Sequence, residues 1–379
     1  MCPLLSDDTD ALLRLVLAGG SVAPRRRLLQ HHGDPSQSVR AGPAAWRAAG
    51  CAPAQCTRLA RPEPDWLACA QAWLAAPDHH LLAITDPDYP VLLRHQPEAP
   101  VALFVQGDPA ALWHPGVAVV GSRTPSPSGA ELAAEFAAAL ARSGLSVVSG
   151  LAAGVDARAH QAALAVAGGR TVAVVATGLD LTYPPAHAAL QARIAARAAV
   201  VSEYPPGLGA AAHQFPARNR IIAGLALGTL VIEAAARSGA LITARLASEA
   251  GREVFAVPGS VRNPRARGCH RLIREGAQLV ERPEEVIGGL TALAGSLGQA
   301  LRSRLGAPTE QARPAPPSAP ANSDPDYQRL WQALDHNPTG MDSLIQRSGL
   351  TTAQLSAMLL VMELDGKVVA AYGRYCRKP

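Results

Sequence analysis

The chain is almost without lysine. Only Lys367 and Lys378 occur among 379 residues, so nearly all of its positive charge is guanidinium. No GxxxxGK[ST] run exists, which excludes a P-loop and the triphosphate hydrolysis it supports. No GxGxxG follows the first strand of the central region, and no acidic residue ends the second, so a nicotinamide dinucleotide is disfavoured. The six cysteines (Cys2, Cys51, Cys56, Cys69, Cys269 and Cys376) form no CxxC pair. Scattered thiols of this kind suit a reducing compartment and give no zinc site. Every apolar run of membrane-spanning length is interrupted by Arg, Gly or Pro, so no membrane association is expected. The start, MCPLLSDDTD, lacks a basic region followed by an apolar one, and a cytoplasmic location is expected. Phenylalanine is scarce, at four residues, so a Phe in a polar loop stands out.

What remains is a globular composition, 48% hydrophobic and 17% charged, long enough for two or three domains. The net charge of +5 hints at a polyanionic partner. Distribution sharpens the hint. Between Glu203 and Glu275 lie ten arginines against five glutamates, with no lysine and no aspartate.

Composition divides the chain. Residues 1–84 read as a helical module. Residues 85–292 alternate short apolar runs with Ala-rich helices. Residues 293–325 contain APTEQARPAPPSAPANSDP, a Pro/Ala-rich linker that cannot pack a core. Residues 326–379 regain periodicity. In the central region the spacing predicts strands at Val117–Val120, Leu145–Ser149, Thr171–Val175, Ala199–Ser202, Thr229–Ile232 and Val254–Val257. Helices over Gly129–Arg142 and Asp156–Ala167 fall between them. The fold class is therefore α/β, with a doubly wound parallel sheet. Five of these strands run into loops containing glycine, which a parallel sheet gathers at its carboxyl edge, where open α/β folds bind ligands.

The stretch QFPARNRIIAGLALGTLVIEAAARSG, Gln214 to Gly239, is the most informative. It puts Arg218, Asn219 and Arg220 near the start of a helix, an arrangement suited to holding phosphate without a metal. Arg123, after the Gly121-Ser122 turn, suits a phosphate too, or pairs with a local carboxylate. Phe215 beside these arginines can stack on a nucleic-acid base, or pack under its own loop. Asp156 reads as a helix cap and His160 as solvent-facing. Glu233 reads as an ion-pair partner orienting Arg218 or Arg237. No metal, cofactor or catalytic residue is expected.

The stretches VAVVGSRTPSPSG, SGLAAGVDARAHQAAL, VAVVATGLDLTYPPAH, SEYPPG, FPARNRIIAGL, VIEAAARSGALITARLASEAGREVFAVPG and GCHRLIREGAQLV occur in that order. Together they closely resemble the DNA-processing protein A family, also called DprA or Smf. The resemblance runs from about Thr85 to Val280. It implies an extended Rossmann-like domain that binds single-stranded DNA, acts as a homodimer and is not an enzyme. It further implies a role in natural transformation, protecting incoming strands and loading a RecA-type recombinase. Carried over by motif, the DNA-binding residues would be Gly121, Ser122, Arg123, Gly150 and Gly154, then Phe215, Arg218, Asn219 and Arg220, then Arg237, Ser238, Gly239 and Thr243. Two positions depart from the family pattern: His187 and His270 stand where it usually has asparagine.

The terminal regions follow the same resemblance, with an N-terminal sterile-alpha-motif-like module and a C-terminal winged helix. The latter is predicted as helices Tyr327–Leu334 and Met341–Arg347, a third helix opened by Thr351 and Gln354, and a hairpin of Lys367–Ala371 with Arg374–Arg377. That third helix carries no basic residue, which favours a protein-interaction or accessory role over major-groove reading. A competing reading is a phosphoribohydrolase-like enzyme acting on a nucleoside monophosphate. Gly228-Thr229 followed by Glu233 faintly echoes that Gly-Thr-x-x-Glu element, one residue too long and without the preceding Pro-Gly-Gly.

Overall fold

The computed structural model describes residues 6–291, 294–295, 325–334, 339–351 and, further on, 355, 358–359, 362, 368–371 and 374–377. The chain divides into two compact units on either side of residue 307.

The first unit opens with six helices, α1 (Asp7–Leu17), α2 (Val22–His32), α3 (Pro35–Arg40), α4 (Gly42–Ala48), α5 (Pro53–Ala60) and α6 (Pro64–Leu74). Leu13, Leu15, Leu28, Leu29 and Leu59 meet at the centre of this group. Among them lies the buried Arg25, whose guanidinium ties α1 to α2 by donating to the carbonyls of Leu15, Val16 and Gly20.

A nine-stranded sheet follows, built from β1 (His79–Ala83), β2 (Ala102–Gly107), β3 (Gly116–Gly121), β4 (Ser146–Ser149), β5 (Thr171–Val174), β6 (Ala199–Ser202), β7 (Gly228–Ile232), β8 (Glu253–Ala256) and β9 (Gln278–Leu279). The spatial order is β1-β2-β6-β5-β4-β3-β7-β8-β9. Strands β3 to β9 pair in parallel, and the six predicted strands are β3 to β8 within a residue or two at each end. Strands β1 and β2 add an antiparallel edge, with Phe104 opposite Ser202. This edge was not expected from the sequence, and its first strand lies before residue 84, inside the segment read as helical.

Helices α7 (Val91–Arg94), α8 (Pro127–Arg142), α9 (Val155–Ala165), α10 (Ala188–Ala195), α11 (Gln214–Leu225), α12 (Ala240–Glu249) and α13 (Arg267–Arg274) pack around the sheet, and a further helical run covers 283–291. Helix α8 starts where Ser126 Oγ accepts the Gly129 N–H, with Pro127 in the first turn. Its buried face carries Ala133, Phe136, Ala137 and Leu140, packed on Val117, Val119 and Leu230 of the sheet. The other face of the sheet closes with Ala118, Val120, Val148 and Val174 against Ile221, Ile222 and Leu225 of α11. A sheet covered on both faces explains why its strands read as unbroken apolar runs.

Chain order runs outward from β3 to β6, then jumps back to β7 on the other side of β3. The β3/β7 boundary is therefore the point where the winding reverses, and a crevice opens there at the carboxyl ends of the strands.

The second unit contains α14 (Pro325–Ala333), β10 (Thr339–Gly340), α15 (Met341–Ser348), β11 (Val368–Ala371) and β12 (Arg374–Arg377). The strands form an antiparallel sheet ordered β10-β12-β11. Leu330, Leu334, Leu344, Leu350, Leu355, Leu359 and Val368 form its core. Two helices and a two-strand wing match the winged-helix expectation. Most of the predicted third helix, Gln354 included, lies outside the described residues.

Candidate functional site

A cleft of about 680 Å³ opens at the reversal point. Its walls come from the ends of β3 (Gly121) and the following Arg123, from Phe215, Arg218 and Asn219 of α11, and from Ser238, Gly239 and Thr243 at the start of α12. Tyr183, from the loop after β5, closes one side.

The loops that build this cleft require glycine at particular points. A Cβ on Gly121 would lie 1.9 Å from the Ile232 carbonyl oxygen, so only glycine lets β3 and β7 close up at their ends. Gly154, at φ +83°, sits against the backbone of Ser122 and Arg123, where a Cβ would lie 2.3 Å from Ser122 O. The β4–α9 loop is thereby pressed onto the Ser122-Arg123 turn, and the Val155 N–H bonds Ser122 O at 3.1 Å. The Ser122 hydroxyl is engaged locally, accepting the Thr124 N–H at 3.1 Å.

Arg123 carries the exposed charge of the cleft. Its guanidinium carbon lies 5.5 Å from the centroid of the Phe215 ring. The Tyr183 ring is 5.3 Å from Phe215 at 53°, and Tyr183 is 47% exposed. A cation held by an aromatic face, with a second aromatic beside it and solvent in front, can take an anion and a flat ring side by side. Asn219 Nδ2 donates to Gly239 O at 3.3 Å and joins α11 to the opposite wall.

Arg218 has a different position. It is 5% exposed, and its Nη1 donates to Gly150 O at 2.6 Å and to Val174 O. Gly150 has no room for a side chain there, since a Cβ would lie 2.4 Å from both terminal nitrogens of Arg218. Below it, Asp156 Oδ2 accepts the N–H groups of Gly150 and Ala152 at 3.1 and 3.4 Å. Burial lowers the Arg218 pKa to about 10, and the nearby Asp156 carboxylate opposes the shift. Burial likewise raises Asp156 above the usual carboxylate range, with Arg218 opposing. The guanidinium is thus a floor beam of the cleft, tying β4, β5 and α11 together.

Several expectations are corrected here. His160 is fully buried rather than solvent-facing: its Nδ1 meets Thr171 Oγ1 at 2.7 Å, and burial pushes its pKa down to about 3. Glu233 orients neither Arg218 nor Arg237. It accepts from the Ser126 N–H at 2.7 Å, from the Ser126 hydroxyl, and from Asn263 Nδ2 at 3.0 Å. Its carboxylate fits under the first turn of α8 because Gly129 has no side chain. Asp156 bonds the loop ahead of α9, while the cap position is Gly154. Arg220 does not line the cleft. On the other face of α11, it pairs with the half-buried Glu203 at 2.5 Å. Arg237 is exposed and lines a separate groove between α12 and α13. Tyr183 was missed, although its place in the loop after a predicted strand was a usable signal.

Two non-glycine residues at the carboxyl edge hold positive φ: Leu151 after β4 at 57° and Glu233 after β7 at 50°. Such backbone costs about 1–3 kcal/mol per residue and persists where surrounding contacts enforce it. Among the described residues no cluster of side chains could hold a metal, and no helix is long and apolar enough to cross a membrane.

Comparison with known proteins identifies the family and fold. The family described as DNA recombination-mediator protein A matches residues 80–291, and the DprA winged helix domain matches residues 314–374. Protein Smf of Escherichia coli K12 is 40% identical over 306 residues, covering 80% of this chain and 79% of its own. DNA processing protein DprA of Streptococcus pneumoniae R6 is 49% identical over 205 residues, covering 54% of this chain and 72% of its own. The structure of DprA from S. pneumoniae superposes with a TM-score of 0.66 at 37% identity, covering 75% of this chain and 98% of that one. DNA processing protein A of Helicobacter pylori, whose structure was described for its single-stranded DNA binding mode, superposes at 0.51 with 28% identity, over 56% and 96% of the two chains. The Rossmann-like sheet, the winged-helix match and the motifs converge, and this chain belongs to the DprA/Smf family of DNA-processing recombination-mediator proteins.

Proposed function

We propose that this chain is a non-enzymatic mediator that binds single-stranded DNA in the cleft at the β3/β7 reversal point. In this reading it protects strands entering the cell during natural transformation and hands them to a RecA-type recombinase. It acts as a cytoplasmic homodimer, with a helical module at 7–74, a DNA-binding domain that includes the β1 edge strand and runs to 292, a linker at 293–325 and a winged helix at 326–379. The observation that carries the reading is the placement of the Arg123 guanidinium over the Phe215 ring, with Tyr183 alongside, in an open crevice. Base stacking with a tracked phosphate is how single strands are held without sequence preference.

The nucleoside-monophosphate hydrolase reading gains no support from Glu233, because all three of its recorded hydrogen bonds serve the fold. Fluorescence anisotropy with a labelled thymidine oligomer and its duplex, across a salt series, tests the proposal. Tighter, salt-sensitive binding of the single strand is expected. Duplex preference, or release of free base from AMP, would overturn it.

A further inference from the structure

A second concavity lies on the far side of the Arg123 turn. It is a shallow groove of about 550 Å³ between the first turns of α8 and α9. The two depressions share their dividing wall. Gly121 and Arg123 line the cleft, while Pro125, Ser126 and Pro127 of the same segment line the groove. On α9, Asp156 faces the cleft, while Ala157 and Arg158 face the groove.

The groove holds one unengaged cationic side chain. The Arg158 side chain is exposed and, among the described residues, makes no ion pair or hydrogen bond. His187 meets Leu151 O through Nδ1 at 2.8 Å. A carbonyl can only accept, so Nδ1 carries the proton, and Nε2 in that tautomer is an acceptor that offers a phosphate oxygen nothing. Gln161 adds a side-chain amide. No carboxylate lines the groove, and Glu233 behind Ser126 is already bonded to Ser126 and Asn263. An arginine with its whole fork free beside an amide is suited to a phosphodiester.

We propose that this groove is a second phosphate-binding subsite, in which Arg158, with Gln161, takes the backbone of a single strand leaving the cleft over the Arg123 turn. The inference rests on the single-strand reading of the cleft and extends the site onto α9. A strand too short to cross the turn fills the cleft alone, whereas a longer one gains the second subsite.

The test compares labelled thymidine oligomers of about four and about twelve nucleotides, lengths that bracket typical single-strand site sizes. They are titrated at fixed salt onto the full chain and its Arg158→Ala and Arg158→Lys variants. Arg158→Ala is expected to remove roughly tenfold of the affinity gained on lengthening, the size of one charge-assisted hydrogen bond. Its salt slope for the long oligomer should fall by about 0.7, one phosphate's share. Arg158→Lys should restore much of the gain. Arg158 is exposed, so these variants should fold like the parent, which circular dichroism checks. Full retention of the length gain and slope in Arg158→Ala overturns the groove and leaves the cleft standing. Failure of the unaltered chain to bind either oligomer overturns both.

Discussion

Arg218 donates a hydrogen bond to the carbonyl of Gly150 at 2.6 Å from a buried position beneath the cleft. The two residues are 68 positions apart in sequence and fit because neither leaves room for more. Arg218→Ala would leave the Gly150 and Val174 carbonyls without this donor and Asp156 without its cation. Truncating one member of such a buried set costs about 3–5 kcal/mol, so the urea midpoint should fall sharply. Gly150→Ala should also destabilise, because the new methyl occupies the guanidinium's space. Unchanged stability in Arg218→Ala, with DNA affinity lost, would assign Arg218 to direct contact instead.

Arg123 and Phe215 should behave in the opposite way. Both lie at the cleft mouth, so Arg123→Ala and Phe215→Ala should shift stability far less than Arg218→Ala. Phe215→Ala should weaken single-strand binding by about 1–3 kcal/mol if the ring stacks on a base. Arg123→Ala should weaken all sequences alike and lower the salt slope by about 0.7. Anisotropy across salt checks both, and parent-like binding by the pair would place the DNA elsewhere.

His160 gives a pH signature. Its folded pKa of about 3 lies below the ordinary 6.5, because burial disfavours the charged ring. Between these values the unfolded chain binds the extra proton, so stability falls as pH is lowered from 6.5 toward 3 and gains nothing above 6.5. The effect is on the order of a few kcal/mol over the window. Asp156, whose folded pKa is raised, acts with the opposite sign at the low end. His160→Gln should therefore show a flatter stability profile than the parent between pH 6.5 and 4. Parallel profiles would contradict the burial.

Glu233 predicts a stability change without chemistry. Glu233→Ala removes the acceptor of the Ser126 and Asn263 donors, and a lost set of this kind costs about 1–3 kcal/mol. Thermal unfolding should register the loss, and AMP incubated with the parent should release no base. Base release that disappears in Glu233→Ala would restore the hydrolase reading.

The central sheet was legible because β3 to β8 are buried on both faces and read as continuous apolar runs. The antiparallel edge was not, because β1 (HHLLA) begins with two histidines and is only half-buried. Arg123 and Phe215 could be placed at the cleft because a glycine turn and a helix start fix where they emerge. Three side-chain environments were not legible for a common reason. Arg218, His160 and Glu233 are charged or polar residues in polar-looking stretches, and sequence carries no sign that tertiary packing buries or occupies them. Arg220 and Arg218 are two positions apart on α11, which turns one toward Glu203 and the other under Gly150. That difference needs the partner elements in place.

The most direct test of the central claim is a photochemical cross-link. The full chain would be irradiated with a single-stranded oligomer containing 5-iodouracil, digested, and the modified residues mapped by mass spectrometry. The account predicts cross-links at Phe215 and Tyr183, lost on competition with unlabelled single strand and retained with duplex. Cross-links confined to the C-terminal unit, with the 183–215 region unmodified, would contradict it.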